Sequence, residues 1–151
     1  MSEEFYKAKQ LTPEEKIKNI NRLIAEKVWQ AYPKLAEDQS DEDGQFWELV
    51  DYRGRKLKGD MKNAWDALWS MPEECWNDVP NVVNSEREWN RLIKELQDQG
   101  WYIRAEWEGE EVSVFCSRSF EGSAWMESKS GTHFGETFAR CVLACFDIEM
   151  A

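Results

Sequence analysis

The sequence predicts an α+β fold: an antiparallel meander of three to four strands packed with helices in a layered α/β/α-type sandwich. Three observations predict it. The spacing of apolar residues changes from about 3.6 to 2 at Gly100. Two segments before that point open with helix-start signatures, at Thr12 and at Ser85. After Gly100 the alternating segments are separated by short glycine-containing turns, which favour antiparallel pairing.

The elements follow in order. Thr12-Pro13-Glu14-Glu15 supplies an N-cap hydroxyl, a proline at the first helical position and a glutamate at the third. Ile17, Ile20, Ile24 and Val28 then repeat at three- and four-residue spacing, so a helix is predicted over 13–31. Tyr32-Pro33 ends it, because the residue before proline avoids the helical region. Phe46 to Val50 is a short strand and Tyr52-Arg53-Gly54-Arg55 the turn of a hairpin. A short helix is expected over 60–69, carrying Ala64, Trp65, Leu68 and Trp69, and an irregular stretch from Cys75 to Pro80. Ser85 with Glu88 three residues on opens a helix over 86–98 whose stripe is Trp89, Leu92, Ile93 and Leu96, and Gly100 stops it. Trp101, Ile103, Ala105 and Trp107 alternate with Tyr102, Arg104 and Glu106; Glu108-Gly109-Glu110 is a turn; Val112, Val114 and Cys116 alternate again. Ala124 to Met126 begins a third strand, so the meander spans about 101–128, with Tyr102 and Phe115 facing away from its apolar side. A last helix over 134–147 places Phe134, Phe138, Cys141, Val142 and Cys145 on one face.

The 151 residues suit one domain, long enough to bury roughly 70% of the unfolded surface. Residues 1–11 read as a loose arm and 37–62 as a charged insert. Nine tryptophans are more than an ordinary core of this size requires, so some are candidates for exposed binding anchors. Nineteen basic against thirty acidic residues give a net charge of −11. That balance opposes direct nucleic-acid binding, where Lys and Arg neutralise phosphates, and opposes an anionic membrane surface. It suits a basic protein partner, although acidity also serves solubility alone. The opening Met-Ser-Glu-Glu-Phe-Tyr-Lys has no apolar run, so the expectation is a cytoplasmic protein with reduced cysteines.

No catalytic machinery stands out, and the protein is read as a non-enzyme without cofactor or metal. His133, the only histidine, would have to serve any dyad or triad, but just before the last helix it suits a cap equally well. Cys141 and Cys145, four apart, could join Cys116 and His133 around zinc. Their place on the apolar stripe favours packing as small hydrophobes. The acidic run from Asp38 to Asp43 lacks the ordered ligands of a calcium loop, and Gly54 and Gly59 match no phosphate cradle.

Three segments resemble a known family: Leu23 to Val28 in the first helix; Val79-Pro80-Asn81 with Ser85 and Trp89 to Leu96, then Gly100-Trp101; and Glu136 to Cys145 in the last helix. Together they resemble the phage ABA-sandwich domain family of small phage and prophage proteins. The family's tyrosine-serine-threonine before the second segment is here Val83-Asn84-Ser85, and the charged insert is larger and more polar. The resemblance implies phage or prophage origin and a layered fold, and it supplies no catalytic residues.

Origin, size and charge point to a stoichiometric inhibitor of a host process, such as an anti-CRISPR or other counter-defence protein. The expected contact surface is the charged insert. Asp38, Asp41, Glu42 and Asp43 would meet a basic nucleic-acid groove on a host protein, with Trp47 as an anchor. In the alternative, a sponge for a nucleotide immune signal, Arg53, Arg55 and Lys56 would hold phosphates. A phage accessory or virion component is the third reading.

Overall fold

A computed structural model describes residues 12–36, 46–57, 69–120 and 123–146, excepting the side chains of 119, 120 and 123–125. Helix α1 spans Pro13–Lys27, with the Thr12 hydroxyl accepting from the Glu15 N–H at 3.2 Å. Its stripe buries Ile20, Ile24 and Ala25. The helix ends four residues short of the predicted 31, ahead of Tyr32-Pro33. Gln30 turns into the left-handed region at φ 51°, and the Ala31 N–H donates back to the Ala25 carbonyl at 3.0 Å. The extended backbone that a following proline favours is then used in a strand.

That strand, β1 (Tyr32–Leu35), pairs antiparallel with β2 (Trp47–Val50). Proline is compatible because β1 has only one neighbour. The predicted turn after β2 is present: Val50 bridges Lys56, the Asp51 N–H donates to Arg55 O at 2.8 Å, and Gly54 adopts φ 79°. Of the expected helix over 60–69, residues 60–68 lie outside the described residues. Trp69 itself corrects the expectation, forming an antiparallel bridge with Trp47. The segment expected to be irregular, from Cys75, is largely a 3-10 helix, Pro72–Asp78.

Helix α2 spans Glu86–Asp98. Its end is a Schellman motif: Gly100 takes φ 92°, its N–H donates to Gln97 O, and the Trp101 N–H donates to Leu96 O at 2.9 Å. The start departs from the capping-box expectation, since the Ser85 hydroxyl makes no side-chain cap bond. Glu88 is buried, with Arg91 Nη1 2.8 Å from its carboxylate.

Strands β3 (Tyr102–Glu108), β4 (Glu111–Phe120) and β5 (Ser123–Gly131) form the antiparallel meander in the order β3-β4-β5. Glu108 pairs with Glu111 around a two-residue loop, and Gly109 at φ 64° supplies its positive dihedral. Helix α3 (Phe134–Cys145) packs on β4 and β5, α1 packs on α3, and α2 touches β3. The inward side chains Val112, Val114 and Cys116 meet Phe138, Cys141 and Val142 in one core. The opposite face of the sheet is open, and its register gives three rows: Tyr102, Ser117 and Met126; Arg104, Phe115 and Ser128; Glu106, Ser113 and Ser130. Tyr102 is 74% exposed and Met126 64%. The fold is thus a layered α+β domain.

Candidate functional site

The acidic set Asp38, Asp41, Glu42 and Asp43 lies outside the described residues. Trp47 is half-buried, packed against the core, and its backbone is held by Trp69. The basic set is brought together by the turn after β2, where the Asp51 carboxylate accepts from the Arg53 and Arg55 N–H groups at 2.9 and 3.0 Å. Each of its cations faces a carboxylate. Arg53 Nη1 is 2.9 Å from Glu95, Arg55 Nε 3.3 Å from Asp51, and Lys56 Nζ 3.2 Å from Glu48. Glu95 and Asp51 are buried, so these cations compensate charges that would otherwise be costly in the interior. The Tyr52 hydroxyl, under the Arg53 guanidinium, is pushed above its ordinary pKa by desolvation and then by hydrogen bonding to Glu95.

A cleft of about 310 Å³ separates this turn from α2 and is lined by Arg55, Lys56, Arg91 and Lys94 together with Asp51, Glu95 and Asp98. A phosphate entering it would have to compete with carboxylates already in place. A larger groove, about 510 Å³, runs between α1 and the 3-10 helix. Asn21 and Asn81 on its wall hydrogen-bond each other at 3.0 Å, and Arg22 lies over the Trp76 ring at 4.6 Å.

Among the described residues, exposed recognition chemistry gathers on the β3–β4 hairpin. Glu106, Glu108, Glu110 and Glu111 are all exposed around its tip. Among them Trp107 is 63% exposed, its ring stacked on Phe134 at 5.8 Å and 24°. The open sheet face adjoins this tip: Arg104 lies over Phe115 at 4.6 Å, and the Ser113 and Ser130 hydroxyls are hydrogen-bonded at 2.8 Å. Rigid aromatic rings among small hydroxyls are the composition of protein-recognising surfaces. From the sequence, Glu108-Gly109-Glu110 reads only as a turn. The signal was in the letters, since Glu106 to Glu111 contains four acids, one tryptophan and one glycine.

His133 is the N-cap of α3, its Nδ1 accepting the Glu136 N–H at 3.1 Å. His133→Ala should therefore lower stability by about 1 kcal/mol, as loss of a cap does, and leave partner binding unchanged. Thermal denaturation alongside a binding titration checks both halves. Cys75 is buried, and desolvation, followed by the nearby Asp78, pushes its thiol up to about 11. Among the described residues no group of three or more His, Cys, Asp or Glu side chains is placed to hold a metal ion, and no helix is long and apolar enough to cross a membrane.

The chain matches no protein-family model, no curated protein and no solved structure.

Proposed function

We propose that this chain is a non-enzymatic phage or prophage accessory protein that inhibits a host process by binding a host protein in the bacterial cytoplasm, as an anti-CRISPR or other counter-defence protein does. The observation that carries the reading is the β3–β4 tip, where exposed Trp107 is surrounded by Glu106, Glu108, Glu110 and Glu111. Exposed carboxylates steer association with a basic surface, and a large aromatic side chain supplies the contact area that charge alone lacks. A net charge of −11 and the resemblance to phage ABA-sandwich proteins support it. The partner it fits is a nucleic-acid-binding protein whose basic groove the tip occupies.

The test is inhibition of DNA cleavage by purified CRISPR effector complexes, titrated with the full chain. Wild type should inhibit at equimolar ratio. The triple variant Glu108→Lys, Glu110→Lys, Glu111→Lys should lose inhibition while keeping its Tm within a few degrees, because exposed substitutions cost about 0.5 kcal/mol or less each. Arg55→Glu with Lys56→Glu should retain inhibition. Capture of a nucleotide by wild type, abolished by this second variant, would replace the inhibitor reading with the sponge.

A further inference from the structure

The open face of the β3-β4-β5 sheet carries no excess charge across its three described rows, on a chain whose net charge is −11. Its two charged groups, Arg104 and Glu106, lie 3.4 Å apart and neutralise each other. The guanidinium also covers the Phe115 ring at 4.6 Å. The other side chains of the rows are aromatic, thioether or hydroxyl, with Tyr102 and Met126 the large exposed ones at its two edges. A basic protein has no net anion to meet here, and a nucleic acid no net cation. The face calls for a neutral occupant whose large and small side chains complement its own.

We propose that the occupant is a second copy of this chain, in a two-fold dimer whose sheets pack face to face with the axis along β4. Packed sheets keep their strands within about 30° of each other, which leaves two symmetric arrangements. With the axis along β4, β3 of one copy lies over β5 of the other and each row falls on the same row. Tyr102 then meets Met126, an aromatic ring against a polarisable thioether. Arg104 lies over Ser128 and Glu106 over Ser130, so long side chains face short ones. On β4, Phe115 meets Phe115 of the other copy between two pairs of serines. With the axis across the strands, the first row falls on the third. Tyr102 then faces Glu106, and Arg104 faces Arg104 of the other copy, a like-charge contact that opposes assembly. The register therefore selects the axis along β4.

The dimer is weak for two reasons. Strands about 4.8 Å apart and rows about 6.8 Å apart give each copy a footprint of about 14 by 20 Å. A standard stable interface covers about 800 Å² per partner. Each chain also carries excess acid, and beyond the third row Glu111 approaches Glu111 of the other copy. Salt therefore strengthens this dimer, the opposite of its effect on a complex steered by complementary charge.

The experiment is sedimentation equilibrium of the full chain from about 10 to about 500 μM, the range that reads a weak association. Dithiothreitol is present so that no disulfide contributes. The mean mass should rise from that of one chain towards that of two, and should rise further between about 0.05 and 0.5 M salt. Tyr102→Lys and Met126→Glu should each weaken the dimer about tenfold or more, because two-fold symmetry repeats every lost contact. Both positions are exposed, so Tm should stay within a few degrees. Mixing the two variants should restore association, since the introduced lysine then faces the introduced glutamate while the symmetric contact remains native. Single chains at every concentration would overturn the proposal and leave the face to another protein. A tighter dimer from Tyr102→Lys alone would overturn it too, because that result places Tyr102 against Glu106. A dimer indifferent to both substitutions would place the interface elsewhere and overturn it likewise.

Discussion

Replacing Gly135 with alanine is expected to destabilise the protein by about 3 kcal/mol or more, the upper end for overpacking, and to lower Tm by about 10 °C. On an exposed helix the same change stabilises by up to about 1 kcal/mol, since alanine is the better helix former. Here the sign reverses because of what faces the second residue of α3. An added Cβ would overlap the Val83 carbonyl and lie 2.6 Å from Trp89 Nε1. Those two groups are joined by a hydrogen bond of 3.4 Å, and the Trp89 ring meets Phe134 edge-on at 4.9 Å. The clash is with backbone, so no rotamer change relieves it. Either α3 lifts from the segment before α2 or that segment moves, and both open the core around Val83 and Phe138. Denaturant titration of the variant beside Gly131→Ala makes the comparison informative. At Gly131 the added Cβ would meet only the Thr137 side chain, although its hydroxyl would sit 2.5 Å away. Rotation of that hydroxyl should make Gly131→Ala the milder change. An unchanged or higher Tm for Gly135→Ala would contradict the packing of α3 described above.

Nothing in the letters around Gly135 marks that contact, and the reason applies to much of what was not legible. A period is a local property, so the three helices and the meander could be read from spacing alone. The change at Gly100 is where a Schellman motif hands the chain from α2 to β3, and a glycine there is required by its φ of 92°. The strand β1 was missed because Pro33 interrupts the pattern and because its partner comes later in the chain. The bridge between Trp47 and Trp69 is likewise a pairing across sequence, invisible to periodicity, and a 3-10 turn such as Pro72–Asp78 carries no helical stripe.

The charged insert was partly legible. Acids and bases alternate in blocks along it, and Arg55 with Asp51 and Lys56 with Glu48 pair within the turn. The third pair could not be anticipated, because Arg53 reaches Glu95 on α2. Glu95 reads as a solvated helix acid, yet it is 4% exposed and also accepts from Gln99 Nε2 at 3.2 Å. Arg53 therefore joins the turn to α2 while Arg55 and Lys56 pair within the turn, and these pairings leave all three less suited to holding a phosphate. The outward side chains of the sheet were legible from alternation, Tyr102 and Phe115 among them. What alternation could not say is that Trp107, on the inward parity of β3, would stack on Phe134 at the start of α3 and still stay exposed.

Trp107→Ala is expected to weaken binding to the proposed host partner about 30-fold or more, the effect of losing a central aromatic anchor worth about 2 kcal/mol. The fold should lose less. Trp107 is 63% exposed and its ring stacks on Phe134, so stability should fall by about 0.5–1.5 kcal/mol. The two costs separate because the exposed part of the indole becomes buried only in the complex. Trp107→Phe keeps a ring over Phe134 and should recover most of the stability but only part of the affinity. Tyr102→Ala provides the control at the other end of β3, about 17 Å away at strand rise. It is even more exposed, so if exposure alone governed binding it would matter more than Trp107. If the acidic tip is the contact, Tyr102→Ala should change affinity less. Salt distinguishes the two contributions. The association rate of wild type should fall between low and physiological ionic strength, as charges screened over about 8–10 Å lose their steering. Trp107→Ala should show the same salt dependence, with its loss confined to faster dissociation. A salt-independent association rate, or a Trp107→Ala variant that binds as tightly as wild type, would remove the β3–β4 tip as the contact surface.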